Sequence, residues 1–431
     1  MDDSRQSDGV RADYDAVIVG ASLAGCTTAI ALGRGGARVA LVEKRPDPAA
    51  FKRTCSHFIQ ASAVPALERL GLLEPMLEAG AVRTTMRAWT RWGWIEAPPG
   101  RAREGVNLRR ELLDPLVREM AAATTGVDLM LGQAAHGLLR EDGAICGVSI
   151  KNAQGEETAL RAKLTVGADG RDSQIAELAW VRTKTWPHGR FAYGAYFEGP
   201  PPAPGGGSTI WMLDPQWAAA FPTDDGLVFY AAMPTKERLP EFKRDPERAL
   251  ISFLADIPDA PPILVSRKVG SVTGKIEMPN KVRAPIAPGL ALVGDAALAV
   301  DPLFGVGCGW ALQSSEWLAG NVVPALRGEE SLADGLARYR RRHRDELRGH
   351  ALQINEQATG RRQNPGERML FAAAARDPKI AERFDAFATR SIRPGALAAV
   401  IPRAIAVNAR HALGPRRRRS ASPDLGQPLG E

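Results

Sequence analysis

What constrains this chain most is an apolar strand running into a glycine turn, a pattern that occurs three times: at Asp15–Gly25, Val166–Ser173 and Leu292–Trp310. In the first segment, Ala16-Val17-Ile18-Val19 is a β-branched run suited to a buried parallel strand. Gly20 makes the tight turn out of it, and Gly25 lets the following helix pack close to the sheet. The start of that helix, Ser22, Leu23 and Ala24, offers free N–H groups and a positive dipole end to a pyrophosphate. Ser22 stands where the G-x-G-x-x-G pattern has its middle glycine. Its hydroxyl suits a phosphate oxygen, while its Cβ crowds the closest approach. The next strand, Arg38–Val42, ends at Glu43, 23 residues after Gly20. An acid there accepts hydrogen bonds from both ribose hydroxyls and repels a 2′-phosphate. The bland alternative is a bare βαβ turn with an accidental acid.

The other two segments return the chain to the same ligand. A strand runs into Gly and Asp at Gly167-Ala168-Asp169-Gly170 and again at Gly294-Asp295. Asp295 follows Leu290–Val293 and is placed to bond a ribityl hydroxyl. Pro302 and glycines 305, 307 and 309 then form a loop opening a helix near Trp310. Open N–H groups at Gly307, Cys308 and Gly309, at a positive helix end, suit an oxyanion-like acceptor. The N1 and C2=O edge of a reduced flavin is such a group and a nicotinamide is not, so the ligand is read as FAD. A glycine-rich loop that binds nothing is the competing reading.

With these motifs the chain resembles the FAD-dependent monooxygenases of the aromatic-hydroxylase (group A) type, with similarity to geranylgeranyl-reductase-like flavoproteins and flavin halogenases. The resemblance covers about residues 14–325. It implies that Gly20, Ser22, Gly25 and Glu43, with Lys44 and Arg45 beside the acid, form the ADP-binding fingerprint. It places Arg53 near the ribityl-phosphate, Cys55–Ile59 beside the isoalloxazine, and Arg110 as a cofactor-contacting arginine at a helix start. Asp169-Gly170 matches the middle motif; Asp295, Gly305 and Gly307–Gly309 match the flavin clasp. There are departures. Ala176 stands where the middle motif often has Arg, Asp301 where hydroxylases often have a first proline, and Gly309 where they often have Asn. Asp-Pro-Leu-Phe-Gly is closer to the reductase and halogenase branch.

The expected fold is α/β: a Rossmann-like FAD-binding domain (14–80, 106–176 and 286–325), an inserted, mostly antiparallel substrate domain (81–105 and 177–285) and a helical C-terminal region (326–412). Residues 413–431 are expected to form a disordered basic tail. At 431 residues and 45% hydrophobic content, a large core is available. Four Cys, at 26, 55, 146 and 308, show neither C-x-x-C nor metal spacing, which argues for a reducing cytoplasm and no metal. No signal peptide or membrane span is read. More than half of the net +7 charge lies in residues 403–431, with Arg416–Arg419 at its centre. Without interleaved aromatics this is a solvated tail and no nucleic-acid site.

The resemblance implies an oxygen-inserting enzyme that acts on a small apolar, aromatic or polycyclic metabolite through a flavin C4a-hydroperoxide. NAD(P)H is the expected reductant, used in a groove because no second dinucleotide fingerprint follows a strand, or through a separate flavin reductase. Trp92 and Trp94 share a face at strand period two and, with Trp211, are candidates for the substrate pocket; plain core is the other reading. His57 is a candidate to protonate an intermediate or orient substrate, against a structural histidine. Gly307, Cys308 and Gly309 are expected to stabilise the reduced ring through their amides. Lys52 reads as a surface residue and Cys308 as an inert small one. The alternatives are a reductase or dehydrogenase acting on a C=C bond or an alcohol, a halogenase, and a passive binding module. The halogenase pattern W-x-W-x-I-P is not met by Trp92-Gly93-Trp94-Ile95-Glu96.

Overall fold

The β-branched run Ala16–Val19 lies where such a run is most stable, buried between two parallel neighbours. In the computed structural model, which describes residues 12–202 and 206–413, the strand Tyr14–Val19 pairs in parallel with Glu157–Gly167 on one side and Val39–Glu43 on the other. Leu290–Leu292 and Val127–Leu131 extend the parallel sheet outward. All three glycine turns therefore leave from the same end of adjacent strands. The helices Leu23–Arg34, Arg110–Ala122 and Gly307–Leu326 complete this α/β layer. A hairpin, Ala134–Glu141 and Ala144–Lys151, adds antiparallel strands to Glu157–Gly167.

The second layer is a seven-stranded sheet in the order 267–275, 192–198, 227–233, 217–222, 208–212, 86–90, 93–95. Its pairs are antiparallel except Ser208–Met212 with Met86–Thr90. One face packs on the helix Pro246–Ala255 around Phe191, Trp211, Tyr230 and Phe253. The other, with Phe58, Ala219, Phe221 and Phe229, faces the first layer.

The tryptophan expectation is corrected here. Arg91 and Trp92 form the hairpin turn between Met86–Thr90 and Gly93–Ile95, so the two-residue period is broken. Trp92 packs with the C-terminal helices, whereas Trp94 packs on the opposite side. Trp211 is fully buried in the outer core and lines no cavity between the layers. The helix expected near Trp310 begins at Gly307.

The C-terminal region is helical. In Leu332–Ala358, Tyr339, His343, Leu347 and His350 recur every three or four residues on the buried face, while Arg340, Arg341, Arg342, Arg344 and Arg348 are exposed. Pro365–Ala374 begins with a capping box from Asn364 and Glu367, and Pro378–Ala388 is capped by Asp377. Both rest against Ala88, Ile95 and Met212 of the second sheet. Arg416–Arg419 and the rest of the expected tail beyond Leu413 lie outside the described residues.

Candidate active site

Two glycines fix the first turn. Gly20 has φ +106° and a Cβ there would stand 2.6 Å from the Ala168 carbonyl oxygen; a Cβ on Gly25 would stand 1.7 Å from that of Gly20. No other residue fits either position. The helix that follows starts at Leu23 without a side-chain cap, leaving its first amides open. Leu23 is buried and Ala24 half-buried beneath them.

Glu43 is buried at the mouth of this turn. It accepts from the Ala21 amide (2.9 Å), from the Arg45 amide (3.0 Å) and from Arg45 Nε (3.2 Å). Burial alone would raise its pKa, but these donors outweigh it and hold the carboxyl below its usual range. Lys44 is exposed, as is Arg53.

Arg110, buried at the start of its helix, ties the motifs together. Nη2 donates to Ser22 Oγ (2.8 Å), and Nε and Nη2 both reach Asp114 Oδ1 (2.9 and 2.5 Å). Nη1 lies 3.8 Å from the sulfurs of both Cys55 and Cys308, which are themselves 3.7 Å apart. The hydrogen bond from Cys308 and then the Arg110 charge hold the Cys55 thiol well below its ordinary pKa. All four cysteines are free thiols.

Asp169 accepts from Ser173 Oγ (2.6 Å) and the Ile175 amide (3.0 Å), so it shapes the turn of the middle motif; Gly170 follows at φ +85°. Asp295 Oδ2 pairs with Lys52 Nζ at 3.1 Å. Desolvation opposes its ionisation, and Lys52 outweighs that to hold its pKa low. Lys52 is thus half-exposed but not a free surface lysine. Gly305, at φ +60°, lets Phe58 approach. The helix at Gly307 also begins without a side-chain cap, and among the described residues a Cβ on Gly307 would meet only Asp295 Oδ1, at 3.8 Å.

His57 sits with φ +61° and is buried. Its Nδ1 accepts from the Arg110 amide at 3.1 Å, which leaves the proton on Nε2, 2.6 Å from Tyr196 Oη. Burial pulls its pKa down, so the ring is neutral and bridges the Arg110 helix to the roof.

Two cavities flank the loop that carries Pro302. One touches Thr54, Cys55, Ser56, Gly194, Phe229 and Pro302. The other is bounded by Phe58, Met212, Trp217, Phe304, Phe384 and Phe387 and opens to solvent. Phe221 lines both.

Several residues escaped sequence reasoning. Asp114 receives the Lys52 amide at 2.8 Å. Arg118, fully buried, donates to the carbonyls of Ala21, Pro48 and Ala50. Asp301 is buried and pairs with Arg190 Nη2 at 2.9 Å, joining the loop that carries Pro302 to the roof. The i, i+4 spacing of Arg110, Asp114 and Arg118 was the one available signal.

A cradle of two uncapped helix starts, a ribose-side acid and a third-strand acid fits an extended dinucleotide. A family profile described as an FAD binding domain matches residues 13–351. Digeranylgeranylglycerophospholipid reductase 1 of Methanococcoides burtonii is 26% identical, over 77% of this chain and 79% of its own length. Kynurenine 3-monooxygenase of Salinispora arenicola is 27% identical over 68% of each chain. The solved structure of the flavin-dependent brominase Bmp2 superposes with a TM-score of 0.74 at 18% identity, covering 92% of this chain and 99% of that one, a likeness of fold.

Proposed function

The chain belongs to the FAD-binding-domain family and is an FAD-dependent oxidoreductase, and from that premise we propose that it is a monooxygenase inserting one oxygen atom from O2 into a small, ring-bearing metabolite. The observation that carries this reading is the apolar, aromatic-walled cavity that shares Phe304 and Gly305 with the loop leading into Gly307.

Bound FAD supplies electron transfer and the activation of oxygen. The protein's own groups do the rest. Gly20, Ser22 and Gly25 would offer the helix start to the pyrophosphate, Glu43 would accept from the adenosine ribose and Asp295 from the ribityl chain. The uncapped amides of Gly307, Cys308 and Gly309 would stabilise negative charge on the flavin ring. The roof, through Phe221 and Phe229, excludes water, and the cavity orients the substrate. His57, neutral and hydrogen-bonded at both nitrogens, positions Tyr196 and the Arg110 helix. NAD(P)H acts in a groove or through a reductase partner.

A reductase is the second reading, favoured by the similarity to the archaeal enzyme. The halogenase reading is weaker, because Trp92-Gly93-Trp94-Ile95-Glu96 does not meet the W-x-W-x-I-P pattern. The deciding experiment is NADH- or NADPH-driven oxygen uptake by the holoenzyme over a panel of aromatic acids, phenols and polycyclic compounds. Substrate-stimulated uptake with hydroxylated product supports oxygen insertion. Anaerobic turnover to a saturated product replaces it with the reductase.

A further inference from the structure

The cavity beneath the roof holds one positive charge that no described carboxylate answers. Three ionisable side chains other than histidine line it: Arg87, Asp385 and Arg390. Arg87 is paired with Glu96 at 2.9 Å and lies over the Trp94 ring. Asp385 is paired with Arg103 at 3.2 Å. Arg390 has no ion pair among the described residues. Its Nη1 reaches two neutral groups, His350 Nδ1 at 3.0 Å and Gln353 Oε1 at 3.3 Å. Its Nε is buried without a partner, and no described residue bonds Nη2. The Nε–Nη2 edge, the fork that grips a carboxylate side-on, therefore has no acceptor among the described residues.

The surroundings sharpen the point. The guanidinium lies over the rings of Phe304 and Phe387, at 5.5 and 5.2 Å. Phe304 belongs to the loop that opens the clasp helix, and Gln60 Nε2 bonds the carbonyls of both Phe304 (2.7 Å) and Ala388 (3.2 Å), fixing the arginine's helix end to that loop. Burial pulls the Arg390 pKa down to about 9, so the residue is still a cation at neutral pH, in a place that disfavours one. His350, pushed down to about 3, stays neutral beside it. The backbone adds an independent sign. Arg390 follows the helix Pro378–Ala388 at φ +61°, with the Ser391 amide bonded to Ala386 and its own to Phe387. This is the left-handed position after a helix that glycine normally fills. A long cationic side chain is held there despite the backbone's preference.

We propose that Arg390 anchors a carboxylate on the substrate, so that the substrate of this cavity is an aromatic or polycyclic acid held by its acid end with its ring toward the flavin clasp. This rests on the reading of the cavity as the substrate site. A neutral amide of the same shape offers that edge one uncharged acceptor in place of a two-oxygen anion and binds more weakly.

The test uses FAD-loaded protein and a pair of probes of one shape, 2-naphthoate and 2-naphthamide. Binding is measured by calorimetry and, in parallel, by perturbation of the flavin absorption bands. The expected result is a preference for naphthoate of about tenfold or more. Arg390→Gln brings the ratio close to one while retaining naphthamide binding, and Arg390→Lys keeps part of the preference. Equal binding of both probes to the parent protein, no binding of naphthoate, or a preference that survives Arg390→Gln overturns the proposal. Equal binding of both probes with a perturbed flavin spectrum leaves the cavity as the substrate site and removes only the anion anchor. Arg390-dependent binding of naphthoate that leaves the flavin spectrum unchanged keeps the anion site and refutes its place beside the flavin.

Discussion

Glu43, the proposed ribose acid, also has a task in the fold. Its two oxygens accept from the Ala21 and Arg45 amides, so it stiffens the turn proposed to hold the pyrophosphate. Glu43→Ala is expected to lower FAD affinity more than FMN affinity, because FMN lacks the adenosine ribose. The loss of charged hydrogen bonds is about 1.5–3 kcal/mol, readable as flavin fluorescence recovered on dilution. Equal effects on the two flavins contradict the assignment. Gly25→Ala is more severe. With its Cβ 1.7 Å from the Gly20 oxygen, the helix must move off the sheet, and protein purified after this change is expected to carry no FAD and to melt lower. Asp295→Ala is milder: it frees Lys52 and should reduce flavin content while the far-UV circular dichroism stays that of the parent.

Among the elements, the helix Leu332–Ala358 carries a pH signature. His343 and His350 are buried and neutral, with pKa values pulled by burial from 6.5 to about 4 and about 3. Between pH 6.5 and about 4 the unfolded chain binds protons that the folded chain does not, so stability falls as the pH is lowered through that window. Each histidine contributes about 1.4 kcal/mol per pH unit there. Thermal melts from pH 7 to 4.5 check this, and His343→Gln is expected to reduce the slope by about one histidine's share. At the clasp helix, a Cβ on Gly309 already comes 3.3 Å from the Ala63 Cβ. Gly309→Val should therefore displace the amides proposed to face the flavin ring, slowing flavin reduction or diverting oxygen to peroxide without unfolding the protein. Stopped-flow reduction and a peroxide assay read it.

At the scale of the whole molecule, Asp301 and Arg190 join the clasp loop to the roof, both buried. Asp301→Ala leaves a buried cation behind, at a cost of about 3–5 kcal/mol, and is expected to lower the melting temperature and the retained flavin together. The parts of this architecture that sequence revealed are those encoded locally. Ala16–Val19, the first glycine turn and Glu43 are read within a stretch of about thirty residues, because strand burial and turn geometry depend on near neighbours. What escaped depends on distant contacts. Lys52 and Asp295 are 243 positions apart, and Arg390 is one of many arginines in a helical region until the cavity identifies it. The Trp92–Trp94 face failed for a local reason, a hairpin turn inside what read as one strand.

The central claim, that this flavoprotein transfers oxygen to a small metabolite, is tested most directly with isotopic oxygen. The holoenzyme, its reductant and an accepted substrate are incubated under ¹⁸O2 and the product mass is measured. The account predicts one ¹⁸O atom in each product molecule and none when the label is supplied in water. A product without label from any accepted substrate, gaining hydrogen at a double bond and forming equally well without oxygen, contradicts it.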